Sequence, residues 1–200
     1  MYSFITPRIV YKKKGKYFQY IVEKNYIDYF KKFGISLVPL VYNKPLIDKI
    51  FKAKIKLIIF SGGNDLYTKT KNRENKLRDQ FEKYLLKKCI DNKVPIIAIC
   101  RGFQFINYSF KGNLVRTNDH VKRNHKIYLK NKILNVNSFH RYKITKLNNQ
   151  FNILGTHNDK SIEYAISDNF KILCLMFHPE RKNKSQNEIN KIIKTFLKSI

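Results

Sequence analysis

The 200-residue sequence predicts an α/β fold of three layers: a mostly parallel central sheet with helices on both faces. Three observations predict it. Short apolar runs alternate with stretches of helical periodicity. Hydrophobic residues make up 43% of the chain, which is ample for a core. Glycines or sharp seams follow the apolar runs, where such sheets carry their functional residues. No repeat, proline-rich linker or low-complexity tract divides the sequence, so one domain over residues 1–200 is expected.

The elements follow in order. Residues 20–33 place Val22, Tyr26, Tyr29, Phe30 and Phe33 on one helical face, with Gly34 positioned to end the helix. ISLVPLV (35–41) reads as a short buried strand, LIDKIFKA as a short helix, and IKLIIFSGG (55–63) as a strand entering a glycine turn. Residues 73–92 set Leu77, Phe81, Tyr84, Leu85 and Cys89 at helical spacing, which makes Cys89 a core residue. VPIIAIC is the next strand and GFQFINYSF the next helix. Residues 111–150 are less regular and read as loops and short strands. SIEYAIS (161–167) and KILCLMF (171–177) read as paired strands, with Cys174 in the core. Ile189, Ile192, Ile193 and Phe196 give the last helix one apolar face.

Composition narrows the function. The first 16 residues lack the pattern of a signal peptide, and no apolar run is long enough to cross a bilayer. Three cysteines with no C-x-x-C pair argue against a disulfide framework or zinc knuckle and for a reduced, cytoplasmic protein. The formal net charge of +27 favours anionic partners. Only eight of the 41 basic residues are arginine, however, and the lysines are spread along the chain rather than clustered. A local anion pocket is therefore expected rather than a nucleic-acid stripe, and neither membrane nor nucleic acid is an expected partner. A homodimer is left open.

Gly62–Gly63, Cys100 and His178 each fall just past a predicted strand end, and so on one rim of the sheet. At PIIAICRGFQFIN the chain turns from strand into helix at Cys100, with Gly102 relieving crowding beside the turn. A helix N-terminus favours a thiolate. In FHPE (177–180), side chains two apart in an extended segment face the same way, so Glu180 can orient His178. In SGGNDLY (61–67), a glycine lets backbone amides approach a developing oxyanion; the Gly63 and Arg101 amides are the candidate donors. His120 and His125 are five apart, which is not the helical i, i+4 pairing of a metal motif. They are read as loop residues, His157 as a solvated turn residue, and no metal ligand is assigned.

PIIAICRGFQFIN, FSGGNDL, VNSFHRY and MFHPE, in this order, resemble the class I glutamine amidotransferases, most closely the free-standing γ-glutamyl hydrolase branch (peptidase family C26). The resemblance runs from about Leu57 to Arg181. It implies a flavodoxin-like sheet, Cys100 as nucleophile, His178 as base and acid, Glu180 as orienter, and Gly63 with Arg101 at the oxyanion hole. Gly62, Gln104, Ser138, Phe139, His140 and Arg141 would contact substrate. The resemblance also implies that a glutamyl thioester forms and is hydrolysed, with no cofactor. The chain departs from the branch at His140–Arg141, where a second histidine is usual, at Lys111–Gly112–Asn113–Leu114, and in lacking a proline after G-G-x-D. These differences bear on the leaving-group half of the substrate. The expected partner is a small γ-glutamyl compound, anionic in view of the charge, with Arg141 and the Lys12–Lys16 run as candidate phosphate contacts. The absence of a fused synthetase domain favours a hydrolase over a glutaminase component of a two-protein amidotransferase. A basic nucleic-acid-binding protein on an inactive fold is the non-enzymatic alternative.

Overall fold

The structure, a computed structural model, describes residues 2–200. Strand β1 (Tyr2–Ile5) leads into a hairpin of β2 (Arg8–Lys12) and β3 (Tyr17–Ile21), followed by α1 (Lys24–Lys31), β4 (Leu37–Pro39), α2 (Lys44–Ile50) and β5 (Ile55–Phe60). A short helix α3 (Tyr67–Thr70) precedes the long α4 (Arg73–Asp91), β6 (Ile96–Ile99) and α5 (Arg101–Ser109). Then come β7 (Asn113–Arg116), β8 (Arg123–Leu129), β9 (Lys132–Ser138), β10 (Tyr142–Lys146), β11 (Asn152–Thr156), β12 (Ile162–Ser167), β13 (Ile172–Leu175) and α6 (Gln186–Lys198).

Nine strands form the central sheet in the order β4-β1-β5-β6-β13-β12-β11-β8-β9. The first five pair in parallel; β12, β11, β8 and β9 extend that sheet antiparallel. Period-two alternation in the central strands feeds two cores. Ile58, Phe60, Ile96, Ala98, Ile172 and Cys174 pack with side chains of α2, α4 and α5. Leu57, Ile59, Ile97, Ile99, Leu173 and Leu175 pack on the other face with α1 and α6. This is the three-layer arrangement that the sequence predicts. Cys89 and Cys174 are both fully buried in the first core, where burial pushes both thiol pKa values up.

Three elements differ from expectation. The strand read as buried over 35–41 is confined to Leu37–Pro39, at the sheet edge, where Val38 is exposed. The helix predicted from residue 20 begins at Lys24, because Tyr20 and Ile21 are held in the β2–β3 ladder opposite Ile9 and Arg8. Tyr26, Tyr29 and Phe30 do form its buried face. Within 111–150, read as loops and short strands, β8 and β9 are seven-residue strands that join the main sheet. Their inward residues, such as Ile127, Leu134 and Val136, alternate with polar ones, so neither strand shows a continuous apolar run.

The carboxyl ends of β5, β6 and β13 point the same way and end side by side. They carry the Ser61–Asn64 loop, Cys100 and the segment leading to His178. At this rim α5 crosses directly beneath β5. A β-carbon on Gly102 would lie 2.1 Å from the Phe60 carbonyl oxygen, so only glycine fits without moving backbone. Gly102→Ala is expected to lower stability by about 2–4 kcal/mol, measured by chemical denaturation.

Candidate active site

The site starts at the corner between β6 and α5. The Cys100 N–H donates to the Leu175 carbonyl (2.7 Å), and its carbonyl accepts from the Gln104 N–H (3.0 Å). These bonds hold Cys100 at φ 51° and ψ −103°, a conformation that side-chain-bearing residues avoid. Such a residue stores about 1–3 kcal/mol of strain and persists only where its surroundings over-determine it. The sulfur faces a pocket of about 370 Å³, which is within the range of small-molecule sites.

His178 lines the same pocket. Its Nδ1–H donates to Glu180 Oε1 at 2.6 Å, as the two-residue spacing predicts. Asn137 clamps the backbone of His178 at two points: its Oδ1 accepts from the His178 N–H (2.8 Å) and its Nδ2 donates to the His178 carbonyl (2.9 Å). Burial opposes charge on the imidazole. The Glu180 carboxylate first, and then the charge of the neighbouring Cys100 sulfur, overcome that penalty and raise the His178 pKa to about 10. Tyr26 stands on the other side, its hydroxyl 3.5 Å from His178 Nδ1 and accepting from the Gly62 N–H (3.0 Å). A β-carbon on Gly62 would meet His178 Cε1 at 2.6 Å, so the ring needs a glycine there.

The Ser61–Asn64 loop is held from behind by Arg78, a fully buried side chain of α4. Arg78 donates to the carbonyls of Ser61 (2.8 Å), Gly62 (3.1 Å) and Gly63 (2.7 Å). All described peptide bonds are trans, so each amide points opposite to the carbonyl of its own peptide plane. With the Gly62 carbonyl drawn inward to Arg78, the Gly63 N–H is aimed outward, and Gly63 lines the pocket beside Cys100. Glu82 accepts from Arg78 Nε (2.9 Å) and also pairs with Arg101, whose second nitrogen pairs with Asp79. The Arg101 side chain is thus buried in structural ion pairs, while the residue, at the start of α5, lines the pocket.

Of the other residues expected at the site, Gln104, Phe139, His140 and Arg141 line the pocket. Ser138 does not: it is fully buried, with its hydroxyl bonded to the His120 carbonyl (2.6 Å). Nor does Gly62 line the pocket: its N–H and carbonyl are taken by Tyr26 and Arg78, and it makes room for the His178 ring instead. The exposed Lys12–Lys16 run lies at the tip of the β2–β3 hairpin, outside the pocket lining. Sequence reasoning missed Arg8, which lines the pocket against Gly63, as well as Tyr26, Arg78 and Asn137. One signal was available: Arg78 and Glu82 share an i, i+4 face with Phe81 and Leu85, a charge pair inside an apolar stripe. The reading of His125 as a loop residue is corrected: it lies on β8. His120 is in a turn as read, but both rings are buried and meet His140 around Glu163, while the half-buried His157, next to a turn, stacks on His125.

The glutamine amidotransferase class-I family matches residues 17–199. The chain is 35% identical over 161 residues to the γ-glutamyl-CDP-amidate hydrolase of Campylobacter jejuni, spanning 80% of this chain and 78% of that protein. It is 25% identical to one of the subunits of the glutamine-hydrolysing GMP synthase of Methanococcus maripaludis, over 80% and 82% of the two chains. Among solved structures, a glutamine amidotransferase from Thermotoga maritima superimposes with a TM-score of 0.62 at 15% identity, covering 98% of this chain and 84% of that one. A chain from Thermoplasma acidophilum superimposes with a TM-score of 0.73, also at 15% identity, covering 100% and 95%.

The electrostatics of His178 can be measured without substrate. Its imidazole, followed by NMR, is expected to titrate near pH 10. Glu180→Gln removes the charge that favours the protonated ring, so the midpoint should move down toward the ordinary histidine range. A midpoint unchanged in the variant would show that Glu180 does not hold the proton on His178.

Proposed function

The chain belongs to the class-I glutamine amidotransferase family, and we propose that within it the protein is a cysteine-dependent γ-glutamyl hydrolase acting through a glutamyl thioester. The observation that carries this reading is the pairing of His178 with Glu180 in the pocket that Cys100 faces. The Cys100 sulfur attacks the γ-carbonyl carbon of a glutamyl amide. The resulting oxyanion is received by the N–H groups of Gly63 and Arg101; each such donor is worth about 3–4 kcal/mol. The C–N bond breaks as His178 gives its proton to the departing nitrogen. Water then gives a proton to His178 while its oxygen adds to the thioester, and glutamate leaves as the thiolate re-forms. Glu180 holds the imidazole in one tautomer throughout.

The leaving group proposed is anionic. The pocket carries Arg8 and Arg141; its acidic Glu23 is paired with Arg181, and Asp65 is the other acidic residue of the lining. Arg8 Nε is a buried donor without an acceptor among the described residues. Together with the similarity to the Campylobacter enzyme, this favours γ-glutamyl-CDP-amidate, which would yield glutamate and cytidine diphosphoramidate for capsular phosphoramidate biosynthesis. A second reading, a glutaminase serving a separate synthetase, draws on the likeness to the GMP synthase component of Methanococcus.

Glutamate release from γ-glutamyl-CDP-amidate, γ-glutamyl-GABA and glutamine separates these readings. The nucleotide substrate is expected to be turned over fastest. Cys100→Ala should lower its turnover by about 10⁴-fold or more while leaving the circular dichroism spectrum unchanged. Equal turnover of the nucleotide and GABA compounds would overturn the substrate assignment. Glutaminase activity appearing only with a partner would favour the second reading, and an active Cys100→Ala would overturn the mechanism.

Arg8→Ala is expected to raise KM for the nucleotide substrate at least tenfold and to change KM for γ-glutamyl-GABA little, as measured by steady-state kinetics. Equal effects on both would place Arg8 at the glutamyl half instead.

A further inference from the structure

Beside the pocket, and outside the reaction described above, four buried side chains converge: His120 in the turn after β7, His125 on β8, His140 just past β9, and Glu163 on β12. Each is at least nine-tenths buried. His120 Nδ1 lies 3.4 Å and His140 Nε2 3.5 Å from Glu163 Oε1, and His125 Nε2 lies 3.4 Å from Glu163 Oε2. Those three nitrogens and Glu163 Oε2 have no hydrogen-bond partner among the described residues. Unpartnered buried polar atoms are rare in native proteins, and here four of them face one another.

For two of the three rings the opposite edge sets the tautomer. His140 Nδ1 lies 3.1 Å from the Tyr142 carbonyl, which can only accept, so in the neutral ring the proton is on Nδ1 and Nε2 carries the lone pair. His120 Nε2 lies 3.1 Å from the Asp159 carboxylate, which likewise leaves the lone pair on Nδ1. Both lone pairs are thereby aimed at a carboxylate, acceptor against acceptor. A cation between them resolves that conflict. Imidazoles held through their far nitrogen by a carboxylate or a backbone carbonyl are the usual outer support of metal-binding histidines. The spacing fits as well. Ligand bonds of about 2.0–2.1 Å place neighbouring donors of a tetrahedron about 3.3–3.4 Å apart.

We infer that His120, His125, His140 and Glu163 form a binding site for a divalent transition-metal ion of the zinc class. Three imidazole nitrogens and one carboxylate oxygen complete a four-coordinate sphere with no position open to substrate, which is the form of a structural site. The ion ties β8 and β12 to the segment after β9. That segment supplies Phe139, His140 and Arg141 to the pocket wall. The Tyr142 carbonyl that receives His140 Nδ1 also receives Gln104 Nε2 (2.9 Å), so the site braces the wall against α5.

The test uses full-length protein and needs no knowledge of the substrate. Wild type, Cys100→Ala and Glu163→Gln are dialysed against a chelator, titrated with Zn²⁺, and analysed for bound metal by mass spectrometry and X-ray absorption. About one Zn²⁺ per chain is expected in wild type and in Cys100→Ala, with nitrogen and oxygen neighbours only and a raised melting midpoint. Glu163→Gln should bind at least tenfold more weakly. If Glu163→Gln does not fold, the wild-type absorption spectrum decides. Failure of wild type to take up zinc, a sulfur neighbour, loss of zinc in Cys100→Ala, or unchanged affinity in a folded Glu163→Gln would each overturn the assignment, leaving three imidazoles that share protons with one carboxylate.

Discussion

The structure turns on how tightly β6 passes into α5 at Cys100. The corner has room only because Gly102 has no side chain to strike the Phe60 carbonyl. It stays bent because Cys100 bonds on one side to the neighbouring strand and on the other to the first turn of the helix. Everything near the site inherits its placement from this packing. β5 must run beside β6 for its glycine loop to reach the sulfur, and β13 must lie on the other side to deliver His178.

Buried charge does the remaining positioning. The chain has 14 acidic residues against 41 basic ones, yet Glu82, Glu163 and Glu180 are all buried. Each faces a cationic or protonatable partner: Glu82 two guanidiniums, Glu180 the imidazole of His178, and Glu163 three imidazoles. A buried charge left without its partner is strongly destabilising, so such pairs fix geometry more sharply than apolar contacts do. Arg78 shows how this reaches the pocket. By drawing three successive carbonyls inward, it turns the amide of Gly63 out.

Much of this was legible in the sequence. The central strands were readable because they are buried on both faces and appear as continuous apolar runs. The rim was readable because glycines and the Cys100 seam end those runs. His178 and Glu180 sit two residues apart, and their contact is local. What escaped the sequence depends on distance along the chain. Tyr26 meets Gly62 and His178 across 36 and 152 residues, and nothing in its helical face announces a polar role. The histidines converge only because β8 and β9 fold into the main sheet, and those strands hide their alternation behind lysine and asparagine. Spacing alone therefore placed His125 in a loop and did not foresee that His120, though in a turn, is buried with it. Of the Ser138–Arg141 segment, the residues after Ser138 reach the pocket, while the pleat of β9 turns Ser138 inward.

The central claim is that the sulfur at this corner becomes acylated during turnover. Acid quenching of the enzyme in the presence of excess γ-glutamyl substrate, followed by peptide mass spectrometry, tests it directly. The account predicts one glutamyl group, labile to hydroxylamine, on the peptide that carries Cys100. Turnover with no such adduct, or an adduct on Cys89 or Cys174 instead, would contradict it.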